Sequence, residues 1–215
     1  ELVLVFPSYS WAPPALVLRW IRHLPGPGRT HRRQSRRPEA AVLAVDGGDG
    51  GAAAGTARRS LQRRGYRVTL SARTGYPDNW RQMMPPPSED AAASRIGSGD
   101  EGARRFAGDL LTGREARRRA KPFVGFLGLV IGPAFRVAGR RLLGQFFVAD
   151  TRCTSCRLCE RSCPVGAITM KRTKPTARRS AGALRPRWSI KCEACNRCIN
   201  ICPFDAIVTS TPRVL

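Results

Sequence analysis

Two short stretches of the chain are apolar at every position. "LVLVF" (2–6) and "AVLAV" (41–45) show the pattern of strands buried on both faces of a parallel sheet, not of strands with one wet face. Between them, "PPALVLRWIRHL" places Val17, Trp20, Ile21 and Leu24 at i, i+3, i+4 and i+7, which predicts an amphipathic helix entered through its prolines. "GAAAGTARRSLQRRG" predicts a second helix. Ala53, Ala57 and Leu61 share one face, arginines cover the rest, and Gly65 supplies the stop. "YRVTL" (66–70) alternates Tyr66, Val68 and Leu70 against Arg67 and Thr69, as a half-exposed edge strand does. Strand, helix, strand, helix, strand is the order of a doubly wound α/β sheet.

One element sits oddly in that order. "LVLVF" is written for a central strand, yet it is the first element present. The expectation is that an upstream βαβ unit or a partner covers its other edge. The chain begins with Glu1 inside this apolar run, without a secretory signal, so the natural N-terminus is expected upstream. From 76 to 113 the triple proline and the Gly/Ser content predict loop, closed by a helix in "DEGARRFAGDLL". The stretch 114–147 holds the longest apolar run, "FVGFLGLVIGPAF" (123–135). It is 13 residues long, interrupted by three glycines and Pro133, and too short to span a bilayer. Its basic flanks suit an anionic membrane surface. The glycines favour the alternative, a linker or interdomain helix that buries its apolar run.

Charge narrows the partners. The chain carries 38 basic against 15 acidic residues, a formal net charge of +23, and Lys121, Lys171, Lys174 and Lys191 are its only lysines. Such a balance favours anionic partners, and an acidic redox protein is the expected one. Arginines occur in every segment, so the simplest reading is a bias spread over solvated faces. The run "RTHRRQSRRP" (29–38) has no interleaved aromatics to stack bases, which argues against specific nucleic-acid binding. His23 and His31 show no metal-ligand spacing. A cytoplasmic protein is expected.

All eight cysteines lie in two runs, Cys153 to Cys163 and Cys192 to Cys202. The pattern C-x2-C-x2-C-x3-C-P-x2-A-I occurs twice, 39 residues apart, and includes Pro164/Pro203, Ala167/Ala206 and Ile168/Ile207. Three chemistries compete. Disulfides suit small secreted domains, and cysteines three apart are awkward mutual partners. Structural zinc usually takes two separated pairs of ligands. Three close thiolates followed by a fourth before proline is the spacing of bacterial two-cluster ferredoxins. Three thiolates on one tight loop can hold three irons of a cubane, while the fourth iron faces away and takes a sulfur from the other repeat. One cluster is then expected on Cys153, Cys156, Cys159 and Cys202, the other on Cys192, Cys195, Cys198 and Cys163. Arg152, Arg157 and Arg161 flank the first run, and Ile199, Ile201 and Phe204 the second. That contrast predicts the lower potential at the second cluster.

On these motifs, residues 147 to 212 resemble a two-cluster [4Fe–4S] ferredoxin. "FPSYSWAPP" (6–14), "AVDGGDGGAAAG" (44–55), "YPDNW" (76–80) and "W-x-x-K-C-E-x-C" (188–195) are similar to segments of fused flavodoxin-like/ferredoxin proteins of anaerobic prokaryotes. That resemblance implies three regions: a flavodoxin-like domain at 1–113 lacking its first βαβ unit, a basic and apolar linker at 114–146, and a small α+β ferredoxin domain at 147–215. It also implies FMN, with ring contacts from Tyr9, Trp11, Gly47, Gly48 and Asp49. Flavodoxins hold the FMN phosphate in a loop after their first strand, and no such loop precedes Glu1. The function implied is electron transfer with no catalytic residue. The rivals are a flavin-dependent iron–sulfur reductase of a small organic substrate and a zinc-binding nucleic-acid module.

Overall fold

In the computed structural model, residues 1–26, 37–48, 51–78, 85–117, 122–173 and 182–209 are described. They form two compact units, Glu1–Asp78 with Pro87–Phe135, and Asn79–Pro86 with Arg136–Leu215. Asp49 and most of the arginine run, residues 29–36, lie outside the described residues.

In the first unit, β1 (Leu2–Pro7), α1 (Ala15–His23), β2 (Glu39–Asp46), α2 (Ala53–Arg63) and β3 (Arg67–Gly75) follow the predicted order. β4 (Ala116–Arg117) adds a short fourth strand. The sheet is parallel, in the order β1-β2-β3-β4. One face packs Leu4, Phe6, Val42 and Val68 against Ile21 of α1 and Ala53, Ala57 and Leu61 of α2. The other packs Ala41, Leu43, Leu70 and Ala72 against Phe106. This gives helices on both faces, an α/β architecture. Ile21 and Leu61 are fully buried, each contributing about 1.5–3 kcal/mol of burial. Among the described residues the strand order shows no reversal, the feature that marks a switch point in doubly wound sheets.

Four expectations change. Among the described residues β1 lies at the end of the sheet, and the both-face burial read for it is found on one face only, Val3 and Val5 being 44% and 56% exposed. β3 is no half-exposed edge: it runs to Gly75, is mostly buried, and lies between β2 and β4. The reason is α3 (Glu89–Leu111), a 23-residue helix that absorbs the Gly/Ser stretch read as loop. Ser88 caps it by accepting from the Ala91 N–H at 3.4 Å, with Glu89 and Asp90 in its first turn. Its glycines serve close packing. A Cβ at Gly99 would stand 2.6 Å from the Gly75 carbonyl oxygen, and one at Gly102 2.4 Å from Thr74 Oγ1.

The fourth change concerns α4 (Pro122–Ala134). Among its described side chains Gly128 and Gly132 are buried, and a Cβ at Gly128 would come within 3.0 Å of Ala52 and the Trp11 carbonyl oxygen. Glycine lets the backbone approach, and the large side chains turn outward: Phe123 is 72% and Phe126 62% exposed. After Pro133, which cannot donate a helical hydrogen bond, the chain passes through a π-helical turn, Phe135–Gly139. Among the described residues no helix is long and apolar enough to cross a membrane.

The second unit repeats itself. It holds α5 (Arg140–Gln145), β5 (Phe147–Ala149), α6 (Leu158–Arg161), β6 (Ile168–Arg172), β7 (Leu184–Trp188), α7 (Arg197–Asn200) and β8 (Ile207–Thr209). α6 and α7, like β6 and β8, are related by the 39-residue offset. The sheets are antiparallel pairs, β5 with β8 and β6 with β7. Each therefore joins the leading strand of one repeat to the trailing strand of the other. The backbone bonds match too: Asp150 N–H donates to the Ala206 carbonyl at 2.9 Å, and Ser189 N–H to that of Ala167 at 2.8 Å.

Candidate metal centres

The two cysteine loops share an unusual backbone. Ser155 and Arg157 flank Cys156 with φ of 64° and 62°, while Ala194 and Asn196 flank Cys195 with φ of 51° and 57°. None is glycine, so each left-handed residue costs about 1 kcal/mol or more and has to be held by its surroundings. The duplicated strain wraps each loop around a common point. A one-turn helix follows, α6 or α7. The fourth cysteine then leads into proline and a third left-handed residue, Gly166 (φ 58°) or Asp205 (φ 44°). That turn sends the chain back into the sheet.

The pairing of strands across repeats brings the distal cysteine of each run to the loop of the other. One apolar cavity, enclosing about 360 Å³ with its mouth, is lined by Cys153, Cys156, Cys159 and Cys202. A second, of about 300 Å³, is lined by Cys192, Cys195, Cys198 and Cys163. Each cavity is thus lined by three cysteines of one run and the fourth of the other. All eight thiols are free of disulfides. Among the described residues no three His, Cys, Asp or Glu side chains gather closely enough to hold a single metal ion. A four-iron cubane is larger than one ion and holds its sulfurs further apart.

The donor chemistry fits an anionic iron–sulfur group. Burial pushes the Cys159 and Cys192 thiols up to about 11 and Cys198 to about 12; it also raises Cys195. Thiolates in such places need positive charge beside them, which iron supplies. Backbone donors are already aimed at sulfur. Ala167 N–H donates to Cys163 Sγ at 3.2 Å, Ala206 N–H to Cys202 Sγ at 3.4 Å, and Ala194 N–H to Cys192 Sγ at 3.4 Å.

The second cavity has extra cover. α5 lies on it so closely that a Cβ at Gly144 would meet Cys192 Cβ at 2.5 Å and Sγ at 2.9 Å. Arg140 Nη1 donates to the Cys192 carbonyl at 3.3 Å and to Glu193 Oε1 at 3.1 Å. Their side chains are 11% and 3% exposed. Phe147 meets the Trp188 ring edge-on, with centroids 5.7 Å apart. Sequence reasoning missed Arg140, Glu193, Gly144 and Phe147. The repeat does hold a signal, since Trp188 and Phe147 align with Ala149 and Pro186, and such mismatches mark where the halves were built differently.

The positive charge at the first run is smaller than its arginines suggest. Arg152 pairs with Asp150 at 2.7 Å and Arg157 with Glu160 at 2.8 Å. Arg161 donates to the Cys156 carbonyl at 3.4 Å.

The loops expected to contact a flavin follow β1 and β2 at the same end of the sheet. Tyr9 and Ala12 form a bridge around Trp11, which itself has a positive φ of 59°. Gly48 N–H donates to Asp46, Gly48 O accepts from Arg73 at 3.0 Å, and Gly47 O accepts from Arg95 at 3.3 Å. These loops are tied to their own protein, and Asp49 lies outside the described residues.

The site and the comparisons with known proteins agree on a class. Residues 152–207 match the family of 4Fe-4S dicluster domains. The chain is also similar to NADH-quinone oxidoreductase subunit I 2 of Symbiobacterium thermophilum, 36% identical over 63 residues. That match covers 27% of this chain and 25% of that protein, so the chain spans about a quarter of the curated relative's length. Together these findings support iron–sulfur electron transfer as the work of the C-terminal part.

Proposed function

We propose that the chain is an electron carrier with two [4Fe–4S] clusters, one on Cys153, Cys156, Cys159 and Cys202, the other on Cys192, Cys195, Cys198 and Cys163. The observation that carries this reading is the crossed lining of the two cavities. Bound there, the clusters supply one-electron redox chemistry. The protein's own residues supply thiolates, N–H donors to sulfur, and walls that exclude water. Cys156 is exposed, and its loop is the side on which a partner approaches. A net charge of +23 favours an acidic docking surface on that partner.

The finer reading adds a flavodoxin-like first unit. It is supported by the parallel sheet with helices on both faces and by Tyr9, Trp11, Gly47 and Gly48 at the ends of β1 and β2. Among the described residues no phosphate cradle accompanies those loops, so no step runs through a flavin here.

The test is purification without oxygen, with iron, sulfide and flavin counted on one sample. About eight irons per chain and a brown absorbance that bleaches with dithionite are expected. A colourless protein holding zinc overturns the reading. Flavin in the same sample extends it to the first unit.

A further inference from the structure

We propose that the Trp188 indole N–H donates to the Cys198 sulfur and so raises the potential of the buried centre above what burial alone would set. The proposal rests on the two-cluster reading above. Trp188 is 8% exposed, and its buried Nε1 has no hydrogen-bond partner among the described residues. Buried tryptophans nearly always find an acceptor for this proton. The ring lines the cavity of Cys163, Cys192, Cys195 and Cys198 and packs with Cys198 in one core cluster. A charged sulfur is thus the acceptor that this donor lacks.

The indole is held firmly. β7 fixes the backbone of Trp188 opposite Ile168, and Phe147 packs against its ring at an interplanar angle of 78°. Thirty-nine residues earlier the equivalent position on β5 is Ala149, which has no side-chain donor. The first cavity therefore lacks this contact. Reduction adds one negative charge to a cluster and its sulfurs, and a donor to sulfur favours that form. Burial in apolar surroundings works in the opposite direction.

The experiment uses the full chain, loaded without oxygen, with both midpoints followed by electron paramagnetic resonance during titration with dithionite. In Trp188→Phe the lower midpoint is expected to fall by about tenfold in the one-electron equilibrium, ~59 mV. The other midpoint and the iron content should hold. Phe147→Leu loosens the packing but keeps the N–H, and should move the lower midpoint far less than Trp188→Phe does. Unchanged midpoints in fully loaded Trp188→Phe, or an equal shift in Phe147→Leu, overturn the proposal. A second measurement needs no substitution: with ¹⁵N-indole tryptophan, a nitrogen coupling is expected on the reduced buried centre of the wild type. Its absence also overturns the proposal, whereas a wild type without iron removes the two-cluster premise itself.

Discussion

Cys156 is exposed, whereas Cys195, its counterpart 39 residues later, is half-buried, and Cys192 and Cys198 are fully buried. The two loops have the same left-handed residues, the same one-turn helix and the same crossed strand pairing. What differs is the cover. Phe147, Trp188, Ile168 and Ile199 join Cys192 and Cys198 in the core of the second unit, and α5 closes over Cys192. A duplicated sequence fixes ligand geometry twice, while the surroundings decide how each copy behaves. One centre is built to be reached and the other to be shielded.

The hardest way to break this comparison is to test the crossing itself. Cys202→Ser belongs to the second run but should empty the first-run cavity, leaving about four of about eight irons. Adding Cys156→Ser to it should cost no further iron, because both residues line one cavity. Adding Cys195→Ser instead should remove nearly all of it. Iron analysis with the reverse pattern, in which Cys202→Ser and Cys195→Ser act on one centre, would show that each run holds its own cluster.

Next in size is the cover of the second cavity. Arg140→Ala leaves Glu193 buried without the guanidinium that lies 3.1 Å away. Breaking a buried pair from one side costs about 3–5 kcal/mol, so the holoprotein should melt markedly lower and lose iron first from the buried centre. Arg152→Ala removes an exposed pair with Asp150 and should leave the melting temperature unchanged within error. Equal effects of the two would mean that the difference in burial carries no stability. A smaller loss, about 1–3 kcal/mol of overpacking, is expected for Gly144→Ala, whose new Cβ would press on Cys192. Its spectroscopic effect should be confined to the buried centre.

Access gives a kinetic version of the same contrast. An iron chelator should remove iron in two phases, the fast one from the cavity that Cys156 opens to solvent. Cys156→Ser should abolish that phase and spare the slow one. A single phase for all iron would mean that the exposure of Cys156 does not govern access.

Much of this was legible in the chain, because its strongest signals are local. Cysteine spacing pointed to the crossed grouping that lines the two cavities, and the continuous apolar runs gave β1 and β2. Where the sequence misled, tertiary packing had reversed a local signal. Gly99 read as loop, yet it and Gly102, which the predicted helix already included, are positions at which α3 meets β3. Gly128 and Gly132 read as weaknesses in an apolar helix, yet both are buried, while Phe123 and Phe126 point outward. The Arg140–Glu193 pair joins residues 53 apart in the chain, a separation at which no periodicity carries information. Trp188 stood out as the start of "W-x-x-K-C-E-x-C" and as a break in the repeat, but neither signal gave its place beside Cys198.

The smallest expected effect concerns the arginines of the first run, and it bears on why the two potentials should differ at all. Read as charges, Arg152, Arg157 and Arg161 would raise the potential of the exposed centre by favouring its reduced form. In the fold, Asp150 and Glu160 take up two of them, and solvent screens what remains. Burial is then left as the main reason to expect a lower potential at the second centre, with the proposed bond from the Trp188 indole working against it. Arg157→Gln should accordingly move the first midpoint by much less than a tenfold change in its equilibrium, ~59 mV for one electron. A redox titration showing a shift of that full size would return the difference to charge, and the shielding of the second cavity would no longer be needed to explain it.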